Sequence, residues 1–408
     1  MQLVHVQVFF RHGARTPLHH VRSPAVAEAF WHPEIADDIP HTVFPIKVLD
    51  ICSNKSIPTS EIPTLPPPLK LPGGLKTGQL IKFGQEEAYD LGKRLKKVYM
   101  EQHAFISEQM SLDEILCRST RILRTVLSLR CVLAGLFGGC LSMQRSRDEF
   151  QLPVYTETLT REFLFPNHHT CEAIKQLAVD GAKERNDSPK HLELKQKLRK
   201  ILGVETLLDD FRPSSTDCPI YFVRDDYLAR QRAGFPIPPG LDDVFSTMDR
   251  LSCEELLWEF LGRRDEWDQN IFVAIGSVLH MILFNMKNYN RISKFHLYSC
   301  HDSTLLLLLY ALGCFDGYWP PFCSDLIFEL YLDKNQLQKN DEEALENSDA
   351  SPPLDALWIR VLYLGKVQPL GCLWKAKYSD AERYNAGYVP LSQLLERWNP
   401  AVKDGHLD

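Results

Sequence analysis

The sequence lacks three features that would assign it to a class at once. No Cys-x-x-Cys pair occurs among its eleven cysteines, so a zinc knuckle is not indicated. Lysine and arginine total 46 against 53 acidic residues, a formal net charge of −7, which argues against a nucleic-acid partner. The longest apolar runs, 305–315 and 132–143, fall short of the roughly 18 residues that a membrane-spanning helix needs. Any cationic site must therefore be local, and no spanning segment is expected.

Neither the N-terminus nor the cysteines fix the compartment. The first residues, MQLVHVQVFF, have no basic flank and no long apolar stretch of a signal peptide, and they are not rich in Arg and Ser like a transit peptide. Because a strand is predicted almost from residue 1, we expect that a leader is missing, with a cytoplasmic protein as the alternative. The irregular cysteine spacing predicts mostly reduced, buried thiols and leaves one or two disulfides open.

Hydrophobic periodicity predicts an α/β protein whose core is built from both ends of the chain. Alternating residues indicate strands, whereas apolar residues that recur every three or four positions indicate helices. No internal repeat of 20 to 50 residues is visible. Strands are predicted at 3–10, 115–118, 295–299, 325–333 and 357–365, and helices at 77–98, 120–138, 269–286 and 303–312.

Changes in composition along the chain predict the domain organisation. We expect the α/β core to comprise 1–20, 75–150 and 269–408. The stretch 21–74 holds a dense run of prolines and is predicted to be an irregular insertion. Residues 151–268 are charged and mostly helical in pattern, which predicts an inserted cap subdomain. An acidic, polar segment at 334–353 is expected to be disordered.

Two predicted strands end in clusters of ionisable residues. The first strand runs into Arg11-His12-Gly13-Ala14-Arg15, and the strand at 295–299 runs into His301-Asp302. Ligands of open α/β sheets bind beyond the carboxyl ends of the strands, so both clusters are expected to share one crevice. Arg118 stands at a third strand end. The sequence therefore predicts one cationic site assembled from distant segments.

These residue types suit the hydrolysis of a phosphate monoester. The forked guanidinium groups of Arg11, Arg15 and Arg118 match phosphate oxygens. Their charge is expected to lower the pKa of His12, which keeps the imidazole neutral and nucleophilic. Asp302 is the candidate acid for the leaving alcohol, and His301 is a further donor to the phosphoryl oxygens. This scheme requires neither a metal nor an organic cofactor.

Each of these motifs has a structural interpretation when it is taken alone. An Arg-His-Gly triplet or a His-Asp doublet is more often a surface or core feature, and the arginines from Arg118 to Arg130 are also typical of a solvated helix face. The pairs at 19–20 and 168–169 resemble metal-binding histidines, but no third ligand has suitable spacing. We therefore expect no metal site.

Taken together, the motifs resemble those of the histidine acid phosphatase family, the two-domain branch of the histidine phosphatase superfamily. The resemblance rests on RHGARTP at 11–17, GQLIKFGQEEAYDLGKRL at 78–95, RSTRILRTVLS at 118–128 and the HD pair at 301–302. It implies a mixed, mostly parallel sheet flanked by helices, with a phosphoglycerate-mutase-like core and a helical cap. The resemblance also implies the following roles: His12 as phosphohistidine nucleophile, Asp302 as proton donor, and Arg11, Arg15, Arg118 and His301 as phosphate ligands.

Several further strings are most similar to family members that hydrolyse lysophosphatidic acid. These are RCVLAGLFGGC at 130–140, LYSCHDST at 297–304 and ALGCFDGYWPPFCSDLIFELY at 311–331. They imply a monomeric enzyme that converts a lysophospholipid phosphate to monoacylglycerol and phosphate, and by resemblance a mitochondrial location. Two alternatives stay open, a phosphotransferase of the mutase type and a catalytically silent protein that binds lipid phosphates.

Overall fold

The computed structural model describes residues 1–21, 23–65, 68–108, 111–138, 151–168, 170–207, 217–337, 352–370 and 381–398. The strands are β1 Gln2–Arg11, β2 Ile46–Asp50, β3 Ile115–Ser119, β4 Leu152–Thr156, β5 Phe295–Cys300, β6 Asp325–Leu332, β7 Leu357–Tyr363, β8 Lys366–Val367 and β9 Tyr388–Pro390. The helices are α1 Lys82–Lys96, α2 Leu123–Phe137, α3 Glu172–Asp187, α4 Pro189–Leu202, α5 Ile220–Ala233, α6 Leu241–Leu261, α7 Trp267–Lys287, α8 Asp302–Leu312, α9 Ala381–Asn385 and α10 Leu391–Arg397.

These strands form one mixed sheet in the order β2-β4-β3-β5-β1-β6-β7-β8, and β9 pairs with β7. Strands β2, β4, β3, β5 and β1 are paired in parallel, whereas β6 to β9 join through antiparallel pairs. Arg11 at the end of β1 is in register with Cys300 at the end of β5, and Ser119 at the end of β3 with Ser299. The predicted fold class is confirmed. The carboxyl ends of β1, β5 and β3 lie side by side at the same edge of the sheet.

Helices cover both faces of the sheet because β1 alternates between two apolar cores. Val8 and Phe10 pack in the core formed with α1 and α2, whereas Phe9 packs in the core formed with α7 and α8. Burying a phenylalanine side chain contributes about 1.5–3 kcal/mol. Both cores lie directly beneath the edge where the ionisable residues leave the strands.

The two predicted insertions each contribute one strand to the sheet. β2 lies within 21–74 and β4 lies within 151–268, and the two strands pair in parallel. Both strands have only five residues, and the surrounding prolines and charges obscure such a short pattern. The domain boundaries drawn from composition therefore differ from the structure at these strands. The remaining division into core and cap stays a prediction, although α4, α5 and α6 enclose an apolar cluster of their own.

Among the described residues, one helix passes the length and composition test for a membrane span. It covers Arg264–Lys287, and 56% of its most apolar window is buried inside the protein. The inward residues of α7, such as Ile275 and Leu279, belong to the main core. Polar residues interrupt the apolar residues of α7, so the helix contains no long apolar run by which a span would be predicted.

The cysteines agree with the expectation of reduced thiols. The nine cysteines in the described ranges are free, and six of them are buried. Cys140 and Cys372 lie outside the described residues, as does most of the segment at 334–353 for which disorder was predicted.

Two histidines are buried between β1 and β5. The rings of His5 and His296 meet edge to face with their centroids 4.6 Å apart. Burial lowers the pKa of His296 to about 4. Burial and the proximity of His296 lower the pKa of His5 well below its usual value. Both rings are therefore neutral in the folded protein at neutral pH.

We expect the free energy of unfolding to fall as the pH drops below 6.5, the pKa of an unperturbed histidine. Below that pH the unfolded chain binds protons that the folded chain does not, so acid favours unfolding. Each such histidine accounts for up to about 1.4 kcal/mol per pH unit. In urea unfolding between pH 5 and 7, His5→Phe should reduce the dependence of the free energy of unfolding on pH by up to about 1.4 kcal/mol per pH unit, the contribution of one proton. The exposed His32→Phe serves as control, and identical slopes for His5→Phe and wild type would contradict the prediction.

Candidate active site

The loop after β1 positions His12 at the shared edge of the sheet. Its backbone N–H donates to the carbonyl of Cys300 at 3.2 Å, and its own carbonyl accepts from the N–H of Cys323 at 3.3 Å. The next residue is a glycine whose added Cβ would lie 2.2 Å from the carbonyl oxygen of Gly84 in α1. Only glycine permits this approach. The motif therefore packs backbone to backbone against α1, which fixes where the His12 ring begins.

The tautomer of His12 follows from a single contact. Its Nδ1 lies 2.9 Å from the carbonyl oxygen of Gly13, and a carbonyl only accepts, so Nδ1 carries the proton. Burial lowers the pKa of His12 well below its usual value, and the positive charges of Arg124, Arg15 and Arg11 lower it further. The imidazole is thus neutral, and its Nε2 holds the lone pair that a nucleophile needs.

Arg11 and Arg15 flank His12, and each is held by a carboxylate. The Arg11 Nη2 contacts Asp302 Oδ2 at 2.8 Å, its Nη1 donates to the carbonyl of Pro320 at 2.7 Å, and its guanidinium lies 4.0 Å from the ring centroid of Phe322. The Arg15 Nη2 contacts Asp225 Oδ1 at 2.9 Å. Both guanidinium groups are buried, so little side-chain entropy remains to be lost when they bind an anion.

Arg118 does not join this group. Its guanidinium pairs with Glu162 at 3.2 Å and stacks over Phe163 at 4.2 Å. Cys117 packs in the core under α1 and α2, so the next residue of β3 points to the opposite face of the sheet, where its Nη1 lies 3.9 Å from Met281 Sδ in α7. The placement differs from the expectation that Arg118 stands beside Arg11 and Arg15.

Arg124, in the first turn of α2, supplies the third positive charge. Its Nη1 donates to the carbonyl of Leu65 at 2.7 Å, and the side chain lines the same cavity as His301 and Asp302. Burial, together with the charge of Arg15, lowers its pKa to about 9. That value still leaves the guanidinium charged at neutral pH.

Asp302 begins α8, and His301 directly precedes it, beside His12. The His301 Nε2 lies 3.0 Å from the hydroxyl of Thr120, and its ring centroid is 5.7 Å from that of His12. Burial and then Arg124 lower the pKa of His301. The Asp302 Oδ2 accepts from the indole N–H of Trp319 at 2.9 Å. Although burial raises the pKa of Asp302, Arg11, Arg15 and this hydrogen bond outweigh burial and lower it.

Sequence reasoning missed three residues that complete the cluster, Arg124, Asp225 and Trp319. Arg124 lies in the quoted segment RSTRILRT, and the two-residue alternation of β3 is the signal that separates it from Arg118. No local signal marks Asp225 or Trp319, because α5 and the segment after α8 reach the site only through the tertiary fold.

A cavity of about 350 Å³ opens beside the cluster. Arg124, His301 and Asp302 of the cluster are among its lining residues. Its remaining lining is mostly apolar, with a few polar groups, and comprises Leu18, His19, Leu65, Ile122, Phe165, Pro166, His168, Tyr221, Leu256, Glu259, Phe260 and Ser303. The arrangement can hold an anion against a neutral imidazole while an apolar group occupies the walls.

The chain is similar to known phosphatases in sequence and in fold. Residues 2–239 match the model of the histidine phosphatase superfamily (branch 2). The chain is 30% identical over 375 residues to lysophosphatidic acid phosphatase type 6 of Pongo abelii, covering 90% of this chain and 78% of that protein. It is 30% identical over 266 residues to human lysosomal acid phosphatase, covering 62% and 59%. The apo phytase of Hafnia alvei has the same fold, with a TM-score of 0.60, 13% identity and coverage of 98% and 97%.

Proposed function

This chain belongs to the histidine phosphatase superfamily (branch 2) and is a phosphatase, and from that premise we propose that it hydrolyses lysophosphatidic acid through a phosphohistidine at His12. The observation that carries the chemistry is the contact between His12 Nδ1 and the carbonyl of Gly13. It leaves Nε2 as the nucleophile in a buried cluster of positive charge. Phosphate monoesters hydrolyse very slowly without a catalyst, so such a cluster suits the reaction.

In the first proposed step, the Nε2 lone pair of His12 attacks phosphorus and the ester P–O bond breaks. Asp302 gives its proton to the departing alkoxide. Arg11, Arg15, Arg124 and His301 hold the phosphoryl oxygens and balance their charge. An anionic phosphate beside Asp302 raises the pKa of that carboxyl, since a like charge disfavours ionisation. Binding of the substrate therefore favours the protonated acid that this step requires.

In the second step, Asp302 is a carboxylate and accepts a proton from water. The water oxygen attacks phosphorus, the N–P bond breaks, and inorganic phosphate leaves with His12 neutral again. The same residue thus serves as acid and then as base, and the overall reaction consumes one water molecule without a metal or an organic cofactor.

The proposal of a lipid substrate is supported by the cavity lining and by the similarity to lysophosphatidic acid phosphatase type 6. Leu18, Ile122, Phe165, Leu256 and Phe260 offer apolar surface next to the phosphate site, where a hydrocarbon chain gains about 25 cal/mol per Å² that it buries. The mitochondrial location stays a prediction.

The proposal is tested by phosphate release from lysophosphatidic acid and from p-nitrophenyl phosphate in parallel. A higher kcat/KM for the lipid supports both the chemistry and the substrate. Release from the aryl ester alone would retain the chemistry and reject the lipid. Transfer of the phosphoryl group to a second alcohol, with little free phosphate, would instead favour the phosphotransferase.

Replacing Trp319 by phenylalanine should move the basic limb of the kcat profile to higher pH, since kcat reports the pKa values of the enzyme–substrate complex, in which Asp302 is protonated. The indole N–H stabilises the ionised form of Asp302, so its loss raises the pKa of that carboxyl and extends the range in which it is protonated. Phenylalanine keeps an aromatic surface for Arg224, whose guanidinium lies 4.4 Å from the Trp319 ring centroid.

The matched control is Trp267→Phe, since Trp267 donates its indole N–H to the carbonyl of Gly262 and is not part of the cavity lining. Its basic limb should coincide with that of the wild type. If the basic limb of Trp319→Phe stays at the wild-type pH, the hydrogen bond from Trp319 does not set the pKa of Asp302.

A further inference from the structure

We infer that Glu259 is a specificity-determining residue that accepts a hydrogen bond from a free hydroxyl on the alcohol part of the substrate. The inference rests on the proposed function, because it assigns a role within the same cavity. It names the substrate class as phosphate monoesters whose leaving alcohol carries a second hydroxyl close to the ester oxygen. A lysophospholipid phosphate belongs to that class, whereas its diacyl counterpart does not.

A chain of contacts links Glu259 to Asp302, the proposed acid. Asp302, the proposed donor to the leaving oxygen, accepts from the Trp319 indole at 2.9 Å. The Trp319 ring centroid lies 6.3 Å from that of Tyr221, and the Tyr221 hydroxyl donates to Glu259 Oε2 at 3.0 Å. Asp302, Tyr221 and Glu259 all line the one cavity. The alcohol that leaves beside Asp302 therefore enters the cavity that Glu259 also lines.

The carboxylate of Glu259 is held in place from two elements. It projects from α6, one turn after Glu255, and Glu255 Oε2 accepts the backbone N–H of Tyr221 at 3.1 Å. Glu255 thus fixes the backbone of Tyr221, and the Tyr221 hydroxyl in turn fixes the carboxylate of Glu259. Burial raises the pKa of Tyr221, and the negative charges of Glu259 and Glu255 raise it further. The tyrosine therefore stays protonated and donates.

An acceptor at this position distinguishes hydroxylated from unsubstituted alcohols. A carboxylate offers about four acceptor positions, so it can accept from the Tyr221 hydroxyl and from a substrate hydroxyl together. A substrate hydroxyl that replaces water as a donor gains a charge-assisted hydrogen bond, which is worth about tenfold in kcat/KM. The apolar residues of the wall, such as Leu256 and Phe260, offer a hydroxyl no partner.

The test compares an acyl-glycerol phosphate with the same molecule lacking the free hydroxyl, an acyl-propanediol phosphate. For each enzyme the measured quantity is the ratio of the two kcat/KM values. We expect a ratio of about ten or more for the wild type, a ratio near one for Glu259→Ala and an intermediate ratio for Glu259→Gln, whose amide oxygen still accepts. Glu254→Gln removes the same charge from the same helix, at a residue that is not part of the cavity lining, and should keep the wild-type ratio.

The outcomes separate this inference from the function on which it rests. Hydrolysis of both substrates with the same ratio in the wild type and Glu259→Ala would overturn the inference and leave the proposed function intact. Failure of the wild type to release phosphate from either substrate would overturn both. If Glu259→Ala does not fold, Glu259→Gln and Tyr221→Phe carry the test. Tyr221→Phe keeps the charge but loses the hydroxyl that orients the carboxylate, and an unchanged ratio in both variants would likewise overturn the inference.

Discussion

Replacement of His12 by alanine is expected to lower kcat for phosphate release by about 10⁴-fold or more, the size of loss that follows removal of a covalent nucleophile. No other side chain in the cluster combines a neutral nitrogen with the position of His12 Nε2, since the Nε2 of His301 bonds with Thr120. The measurement is single-turnover and steady-state phosphate release, and circular dichroism confirms that the variant is folded.

Labelling identifies the intermediate directly. Wild-type enzyme mixed with labelled substrate and quenched in alkali should retain covalent phosphate, and His12→Ala should retain none. Asp302→Asn should accumulate label from an aryl ester, because a good leaving group departs without the acid whereas the attack of water still needs the base. His32→Ala, at an exposed position, is the control for loss of a histidine. Turnover of His12→Ala at the wild-type rate would remove His12 from the mechanism.

Replacement of Arg124 by alanine should cost about 10²- to 10³-fold in kcat/KM for every phosphomonoester, comparable to the loss of one oxyanion donor. A second effect has a definite sign. Among the charges near His12, Arg124 lowers its pKa most, so the variant raises that pKa. Because the nucleophile must be neutral, the acid limb of the rate profile should move to higher pH.

Arg118→Ala provides the contrast, since both arginines are buried and belong to the same segment of sequence. Its removal leaves Glu162 buried without its ion pair, which is expected to cost about 3–5 kcal/mol of stability. We therefore expect a lower melting temperature and a smaller loss of kcat/KM than in Arg124→Ala, compared at a temperature where both variants are folded. Equal losses of kcat/KM with unshifted acid limbs would contradict the assignment of Arg124.

The sequence predicted the main elements of the sheet and one of its edges from local pattern alone. The strands predicted at 3–10 and 295–299 correspond to β1 and β5, and their parallel pairing brings His12 and His301 together. That prediction succeeded because hydrophobic periodicity encodes strands directly, and because the carboxyl ends of parallel strands lie on one edge. The five-residue strands β2 and β4 lie among prolines and charged residues that obscure their pattern, so the sequence predicts insertions there.

The choice between Arg118 and Arg124 shows where local pattern ends. Both arginines fit the chemistry, and they differ in the direction of the side chain. Arg118 alternates with Cys117 on β3, which turns it towards Glu162 and α7. Arg124 lies in the first turn of α2 and lines the cavity. Which face of the sheet a strand residue points to becomes meaningful only in the folded protein, because the helix that covers each face is far away in sequence.

The sequence by itself predicted the fold class and pointed to His12 and Asp302 as the reacting pair that we propose, since each stands just after a strand that the residue pattern indicates. Only the tertiary structure decided the environment of that pair. Asp225 of α5 contacts Arg15, which is 210 residues away in sequence. Trp319, in the segment after α8, contacts Asp302 across 17 residues, and Glu259 of α6 contacts Tyr221 across 38 residues. The physical reason is that the pKa, orientation and specificity of a group depend on what lies within a few ångströms of it, and chain folding sets those neighbours.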